Sequence, residues 1–516
     1  MREMITQVLT RSKVRTRAFR AGARYFHHVE NGLTGVSGPG VPEDNETGVI
    51  GWGTSWRMQG YVLMGERTGD PAYAVRLAEL IEGVLAARDE ERGITDHRGR
   101  SGPVWSTAGK FTAATAVVED EEGRAALEVT VCPPRSVHAV VGVVPEKDGR
   151  FGLTVTGKGR PSFAAHGLSL DPRDPRRADH LLYEAYEQRS GITARLVPLP
   201  GAGDGGGGAG ASGRGARGDR GGERRRVRAG QYAVRPARVA LAAQTGMITY
   251  PIAGLARLAR EREDAVPASV RARLEGWLDL VRRAVGAHEE QWQPVEGGRG
   301  CYRWLRDEPV SFAGAELPTN EFLAVGRTLV QLAAVTGEEA YAERAAAMAR
   351  ALRDDFVVRT GVAVWPYWPR FGRVYNGWSA TGSVATDGSL HRPSYGAVTV
   401  PEDVTHALID LDFLQLYHRT PGLPLVFTDA DMRAVAAAFS RHVVAREGRS
   451  WRMRHDVGGD GRPGTDREQA HVAAWLPLGG WAAQLPELVR TIQPAVPPAP
   501  FMGVDTYCGA LLARWG

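Results

Sequence analysis

The sequence predicts a mainly α fold, an array of about five to six helical hairpins interrupted by a β-rich insert. Three observations carry this. Most of the chain reads as paired segments with apolar residues three and four apart, each pair joined by a short turn. One turn recurs: Arg67-Thr68-Gly69-Asp70-Pro71-Ala72-Tyr73 and Val335-Thr336-Gly337-Glu338-Glu339-Ala340-Tyr341 share a Thr-Gly-acid core, and each precedes an Ala/Leu-rich helix. Between them, residues 103–198 switch to alternating or β-branched runs broken by Gly and Pro.

In chain order, residues 1–30 predict a basic helix ending in Tyr25, Phe26, His27 and His28, and a Gly/Pro-rich loop follows. Residues 48–67 and 72–88 form the first hairpin, 240–261 and 268–291 the second, 319–335 and 340–356 the third, 404–417 and 429–445 the fourth. Residues 467–485 with 488–492 predict a fifth, and 505–515 a last single helix that pairs with the N-terminal one. The resulting division is 1–102, first part of the array; 103–200, β-rich insert; 201–230, a disordered Gly/Arg-rich linker; and 231–516, the remainder.

Composition removes several function classes. Of the 516 residues, 64 are Lys or Arg and 59 Asp or Glu, and much of the net charge of +5 sits in the glycine tract Gly213–Arg228. A solvated basic run of that kind does not predict nucleic-acid binding. Cys132, Cys301 and Cys508 lie far apart without metal-type spacing, so neither a disulfide framework nor a zinc site is expected, and no metal or cofactor is predicted. The basic start lacks an apolar signal-peptide core and no run of about 18 apolar residues exists, which predicts a cytoplasmic chain without membrane spans. There is no GxSxG, and the glycines of 201–211 do not join a strand to a helix as a phosphate cradle requires.

The chain is organised around residues 401–417. Pro401 and two acids open an apolar-periodic stretch in which Asp403, His406, Asp410, Phe413 and Tyr417 stand three or four apart and share one side. Glu402 and Asp403 are also ordinary helix-start residues, because carboxylates complement the positive N-terminus. An imidazole between two acids, with rings below, predicts a pocket lining.

Leu317-Pro318-Thr319-Asn320-Glu321-Phe322 opening a helix, the two Thr-Gly-acid turns, the aromatic loop Val364-Trp365-Pro366-Tyr367-Trp368-Pro369 and the run Glu402–His406 together resemble the (α/α) toroid superfamily of carbohydrate-active proteins. That superfamily includes six-hairpin glycosidases, alginate- and heparin-type polysaccharide lyases and glucuronyl epimerases. The resemblance implies an (α/α) toroid or barrel and a saccharide substrate; the insert and glycine tract lie outside it. In a ring of antiparallel hairpins all first helices run the same way, so Asn45, Glu46, Trp52, Gln244, Tyr250, Thr319, Asn320, Glu321, Glu402, Asp403, His406, Glu468, His471, Trp475, Asp505, Thr506 and Tyr507 are expected to converge at one end.

Sugar sites combine aromatic platforms with carboxylates and amides. Trp52, Trp365, Tyr367, Trp368, Tyr375, Asn376, Trp378, Arg392, His471 and Tyr507 are the expected substrate contacts, and His406, Asp403, Tyr395, Asn320 and Glu321 the catalytic set. Elimination or epimerisation of a uronic-acid-containing saccharide needs a base, an acid and a neutralised carboxylate. His406 with Tyr395, or His471 with Tyr507, suits the first two roles, and Asn320, Arg392 or Arg454 the third. This is the reading favoured here. Hydrolysis instead needs two carboxylates, for which Glu46, Glu321, Glu402, Asp403, Asp410 and Asp505 are available. A toroidal terpenoid cyclase and a non-catalytic binding platform are further alternatives. Oligomeric state is not legible.

Overall fold

The computed structural model describes residues 19–35, 40–157, 160–186, 191–198, 225–381 and 386–516. Residues 1–18 and most of the expected linker, 199–224, lie outside the described residues.

The first four predicted hairpins are present, although the second helix of the fourth ends at Ala438 and passes through a π-helical turn, Phe439–Val443, into a strand, Val444–Glu447. Helix α1 covers 19–35, and a π-helical turn, Ile50–Thr54, leads into α2, Ser55–Thr68. Next come α3 (Pro71–Ala86), α4 (Ala242–Glu261) and α5 (Leu274–Gly286), then α6 (Thr319–Thr336) and α7 (Glu339–Asp354). The array ends with α8 (Ala407–Arg419), α9 (Asp429–Ala438), α10 (Leu485–Ile492) and α11 (Gly503–Trp515). Where a long helix was expected over 467–485, a short turn of helix, Asp466–Gln469, and a 3₁₀ segment, Val472–Gly480, stand instead. Pro477 lies within that segment and has no backbone N–H to donate. The Thr-Gly-acid turns end α2 and α6 alike: Gly69 and Gly337 adopt left-handed φ values of 69° and 75° as C-caps.

Packing runs in order and returns on itself. Helix α2 packs on α4, α4 on α6, α6 on α8, α8 on 472–480, that segment on α11, and α11 back on α2. Outside them, α3 lies on α2, α5 on α4, α7 on α6 and α10 on 472–480. Helix α1 lies on α11 so closely that a Cβ on Gly22 would collide with the Ala513 backbone, and one on Gly509 would stand 2.8 Å from the Phe26 backbone. This is the predicted pairing of the two chain ends. Neighbouring helix starts also meet: Asn45 Nδ2 donates to Gln244 Oε1 at 2.6 Å, and Arg467 Nη1 to Asp505 Oδ2 at 2.8 Å.

The insert forms two four-stranded antiparallel sheets. One orders its strands Ile192–Leu196, Ala125–Val131, Ala114–Glu119, Arg235–Pro236; the other Arg160–Leu168, Phe151–Gly157, Val140–Pro145, Gly230–Ala233. Val129, Val131, Val141, Phe151, Leu153 and Ile192 are buried in its separate core. Strands from 230–236 belong to both sheets, so the glycine tract interrupts the insert and the helical array resumes only near residue 240, not at 231. The end of that tract is placed, with Arg225 Nε 2.8 Å from Asp120 Oδ2. Ser311 Oγ donates to Pro133 O at 3.1 Å, and Tyr183 pairs with Asp387, joining the insert to the loops that precede α6 and α8. Among the described residues no helix is long and apolar enough to cross a membrane.

The α1–α11 contact gives a paired test. Gly22→Val should lower stability by about 1–3 kcal/mol through backbone overpacking. Gly276→Ala, in a helix with nothing within 4 Å of the added Cβ, should raise it by about 0.4–1 kcal/mol. Thermal unfolding of both variants checks this; an unshifted Gly22→Val would mean that α1 does not pack where described.

Candidate active site

The sequence around His406 is threaded before it coils. Glu402 N donates to Trp365 O at 2.9 Å and Val457 N to Glu402 O at 2.9 Å, while Val404 N donates to His455 O at 2.8 Å. Residues 402–404 are thus held between the aromatic loop and residues 455–457, and the helix proper starts only at Ala407. Asp403 caps that start. Its Oδ1 accepts from Thr405 N at 2.8 Å, Thr405 Oγ1 at 2.5 Å and His406 N at 3.1 Å, and its Oδ2 faces His406 Nδ1 at 2.5 Å. The capping that the sequence allows Asp403 falls to one oxygen, and the orientation of the imidazole to the other.

The charges follow from these contacts. Burial raises the cost of ionising Asp403, but the bonds from His406 and Thr405 outweigh it and hold the carboxyl well below its usual range. Burial likewise opposes a charged His406, yet Asp403, Glu321 and Asp410 together raise its pKa. Glu321, in the first turn of α6, is pushed up to about 7 by burial, with His406 pulling the other way. Tyr367 lies over His406, ring centroids 5.2 Å apart, and burial beside Glu321, Glu402, Asp403 and Asp410 pushes its phenol far up. Glu402 and Asp410 are fully buried and both raised, first by desolvation; Asp410 and Asp403 push Glu402 further up, while the hydrogen bonds from Trp365 and Glu402 pull Asp410 back down. Thr319 Oγ1 and both polar side-chain atoms of Asn320 are buried without a hydrogen-bond partner. One ligand atom each of Glu402, Asp403 and His406 lie within 4.8 Å of one another, a spacing a metal ion could use. The Asp403 oxygens, however, are already engaged by four donors.

The predicted residues divide. His406, Asp403, Glu321 and Tyr367 come together, with Asn320 adjoining in α6. Tyr395 is linked to His406 by a row of rings: contacts run from His406 through Tyr367, Trp368 and Phe312 to Tyr395, each step 5.0–5.3 Å. Tyr395 stacks on Trp378 at 5.3 Å, and the Arg392 guanidinium covers Phe312 and Tyr395 at 5.0 Å each. Trp365 and Trp368, expected as platforms, are in the core, 1% and 6% exposed; Trp365 Nε1 instead donates to Asp410 Oδ2 at 2.8 Å. Asn376 is exposed, but its amide is tied to Arg370 O and Gly372 O, and Tyr375 and Trp52 are half-buried against the core. His471 and Tyr507 are buried elsewhere. His471 Nε2 is 4.0 Å from Asp505 Oδ1, and burial pushes its pKa down to about 4. Tyr507 lies against Trp56 at 4.9 Å, beside Asp412 and the buried Arg327, so the alternative base–acid pair is not supported by these contacts. Phe413 and Tyr417, expected below His406 in a pocket, are core residues. Arg454 bonds Gly459 O, and Glu46 pairs with Arg238.

Two features had no sequence signal. His455 Nδ1 meets Glu468 Oε1 at 2.6 Å beside the α8 start, in a segment without helical or strand periodicity. Arg327 Nη1 meets Asp412 Oδ2 at 2.9 Å, both buried, inside the ring of helices.

No protein-family model matches the chain, and no curated protein sequence matches it. Among solved structures it is similar to the α-1,6-mannanase GH76A of Salegentibacter sp. HEL1_6, at 11% identity and a TM-score of 0.33, covering 53% of this chain and 75% of that one. Inactive variants of that mannanase in complex with α-1,6-mannotetrose and α-1,6-mannotriose match at 11% and 10% identity, also with TM-scores of 0.33. At that level of likeness the chemistry has to be read from this chain's own residues.

Because folding raises the Glu321 pKa from the ordinary 4.5 to about 7, the native state holds this proton more tightly, and stability falls as pH rises through that window. Glu321→Gln should therefore unfold like the parent near pH 4 and be more stable by on the order of 2 kcal/mol near pH 8. Denaturant melts at both pH values check the sign; equal stability at pH 8 would contradict a Glu321 whose pKa is raised by folding.

Proposed function

We propose that the cyclic helix packing is an (α/α) toroid and that the cluster at the start of α6 and α8 is the active site of a carbohydrate-active enzyme, most specifically a glycoside hydrolase. One observation carries this reading: two carboxyls facing the same imidazole are displaced in opposite directions, Glu321 upward and Asp403 downward. Groups whose environments push their pKa values apart are what a hydrolase needs, a protonated acid beside an ionised partner. Glu321 then protonates the departing glycosidic oxygen, a water molecule adds to the anomeric carbon as that bond breaks, and the proton the water gives up restores the acid form of Glu321. Asp403 is the ionised carboxylate that stabilises the positive charge developing on the sugar, and His406 holds it ionised. Tyr367 is the ring that meets the sugar, and the half-buried Phe312, Tyr395 and Trp378 beyond it support further units, with Arg392 over them.

The same facts weigh against the elimination and epimerisation reading that the sequence favoured. Those reactions need a neutral imidazole as base, whereas Asp403, Glu321 and Asp410 raise the His406 pKa and so favour its charged form, and the row of ring contacts from His406 to Tyr395 passes through three other rings. A uronate carboxylate would also enter a site already rich in acids.

Incubation with a panel of neutral and uronate-containing glycans tests both readings. New reducing ends without ultraviolet absorbance are expected, with activity falling as pH rises through about 7, where Glu321 loses its proton. Glu321→Gln should lower turnover by about 10²–10⁴-fold. Products that absorb in the ultraviolet would replace hydrolysis with elimination.

A further inference from the structure

Glu402 and Asp410 take no part in the reaction proposed above, yet they are the most buried acids beside it, 0% and 1% exposed. Each has one oxygen fixed: Glu402 Oε1 accepts from Asp403 N at 2.9 Å, and Asp410 Oδ2 from Trp365 Nε1 at 2.8 Å. The other two, Glu402 Oε2 and Asp410 Oδ1, are buried without a partner. Buried polar atoms are rarely left so, and each unsatisfied carboxylate oxygen costs more than a neutral group would. The two side chains are within each other's hydrogen-bonding reach, and the groups around them include Asp403, His406, Trp365 and the Tyr367 phenol. No guanidinium or ammonium figures among these, so two full negative charges cannot coexist there cheaply.

We propose that Glu402 and Asp410 form a single unit holding one proton between Oε2 and Oδ1, and that this unit is the positioning device for the Asp403–His406 pair. One shared proton satisfies both orphaned oxygens with a charge-assisted hydrogen bond and leaves one negative charge for His406 to balance. Trp365 clamps the Asp410 end. The Glu402 end holds the Asp403 backbone N–H, and so fixes the residue whose side chain orients the imidazole. A divalent cation is the competing occupant. It is disfavoured because the Asp403 oxygens already accept four bonds, and because the N-terminus of α8 places its positive dipole end at this point. The inference rests on the proposed function only for what the pair positions, and its test uses no substrate.

Infrared spectroscopy near pH 8.5 reads the proton directly, through the carbonyl band that only a protonated carboxyl gives. Glu308, Glu321 and Asp355, each raised to about 7, are ionised at that pH and do not contribute. The parent protein should show the band. Glu402→Gln and Asp410→Asn should each fold and each lose it, since the amide N–H takes the place of the shared proton and the remaining carboxyl ionises. The double variant, which removes the one charge of the Glu402–Asp410 unit and leaves Asp403 as the ionised partner of His406, should lower the midpoint of the His406 ring titration by about one unit in NMR. A parent without the band, a band that survives in both single variants, or an unmoved His406 midpoint would overturn the proposal. So would one-to-one uptake of Mg²⁺, Ca²⁺, Mn²⁺ or Zn²⁺ that removes the band in the parent and is lost in Glu402→Gln. A chain that cleaves no glycan but keeps this pattern would overturn the hydrolase reading and leave the shared proton standing.

Discussion

The hydrogen bond between His406 Nδ1 and Asp403 Oδ2, 2.5 Å long, sets the charge of every acid around it. It ties a negative group to a positive one where both are partly removed from water, so the pair is ionised as a unit. Burial beside that pair raises Glu321, Glu402 and Asp410, which favours a proton on Glu321 and the one proton that Glu402 and Asp410 share. Without the Asp403 contact His406 would lose most of what sustains its charge. The oppositely displaced carboxyls on which the functional reading depends would go with it.

The fold places this bond by threading rather than by helix geometry alone. Residues 402–404 are strapped between 365–367 and 455–457, with Glu402 N on Trp365 O and Val404 N on His455 O. The capping bonds of Asp403 then turn the chain into α8 at a fixed point. Thr319 N donates to Tyr367 O at 3.0 Å, which brings the start of α6, and with it Glu321, against the same strap. The aromatic loop therefore works mainly as scaffold: Trp365 holds Asp410, Trp368 fills the core, and Tyr367 alone of the three reaches the imidazole.

Helices were legible in the sequence because apolar residues at a period of 3.6 have to face a core wherever they are. The Thr-Gly-acid echo was legible for a similar reason, since Gly69 and Gly337 both adopt a backbone conformation that suits glycine. Asp403 with His406 was readable from spacing alone. Loops carry no period, so nothing in Trp365–Trp368 says which rings point inward, and residue type alone makes all of them sugar platforms. Tyr395 and His406 are near in sequence, but the Tyr367–Trp368–Phe312 row that links them is revealed only by tertiary packing. The insert's end was misplaced because Gly230–Pro236 is too short to read as strand until its partners at 114–115 and 140–143 are known. The raised carboxyls were likewise invisible: desolvation is a property of the folded surroundings, not of residue type.

Direct titration of the side-chain carboxyl carbons of Glu321 and Asp403 by NMR tests the central claim, that one imidazole stands between acids held in opposite protonation states. The account predicts a Glu321 midpoint near 7 and an Asp403 that stays ionised well below the usual carboxylate range. Two carboxyls titrating together near 4 would contradict it, and would remove the acid–base pair from the site.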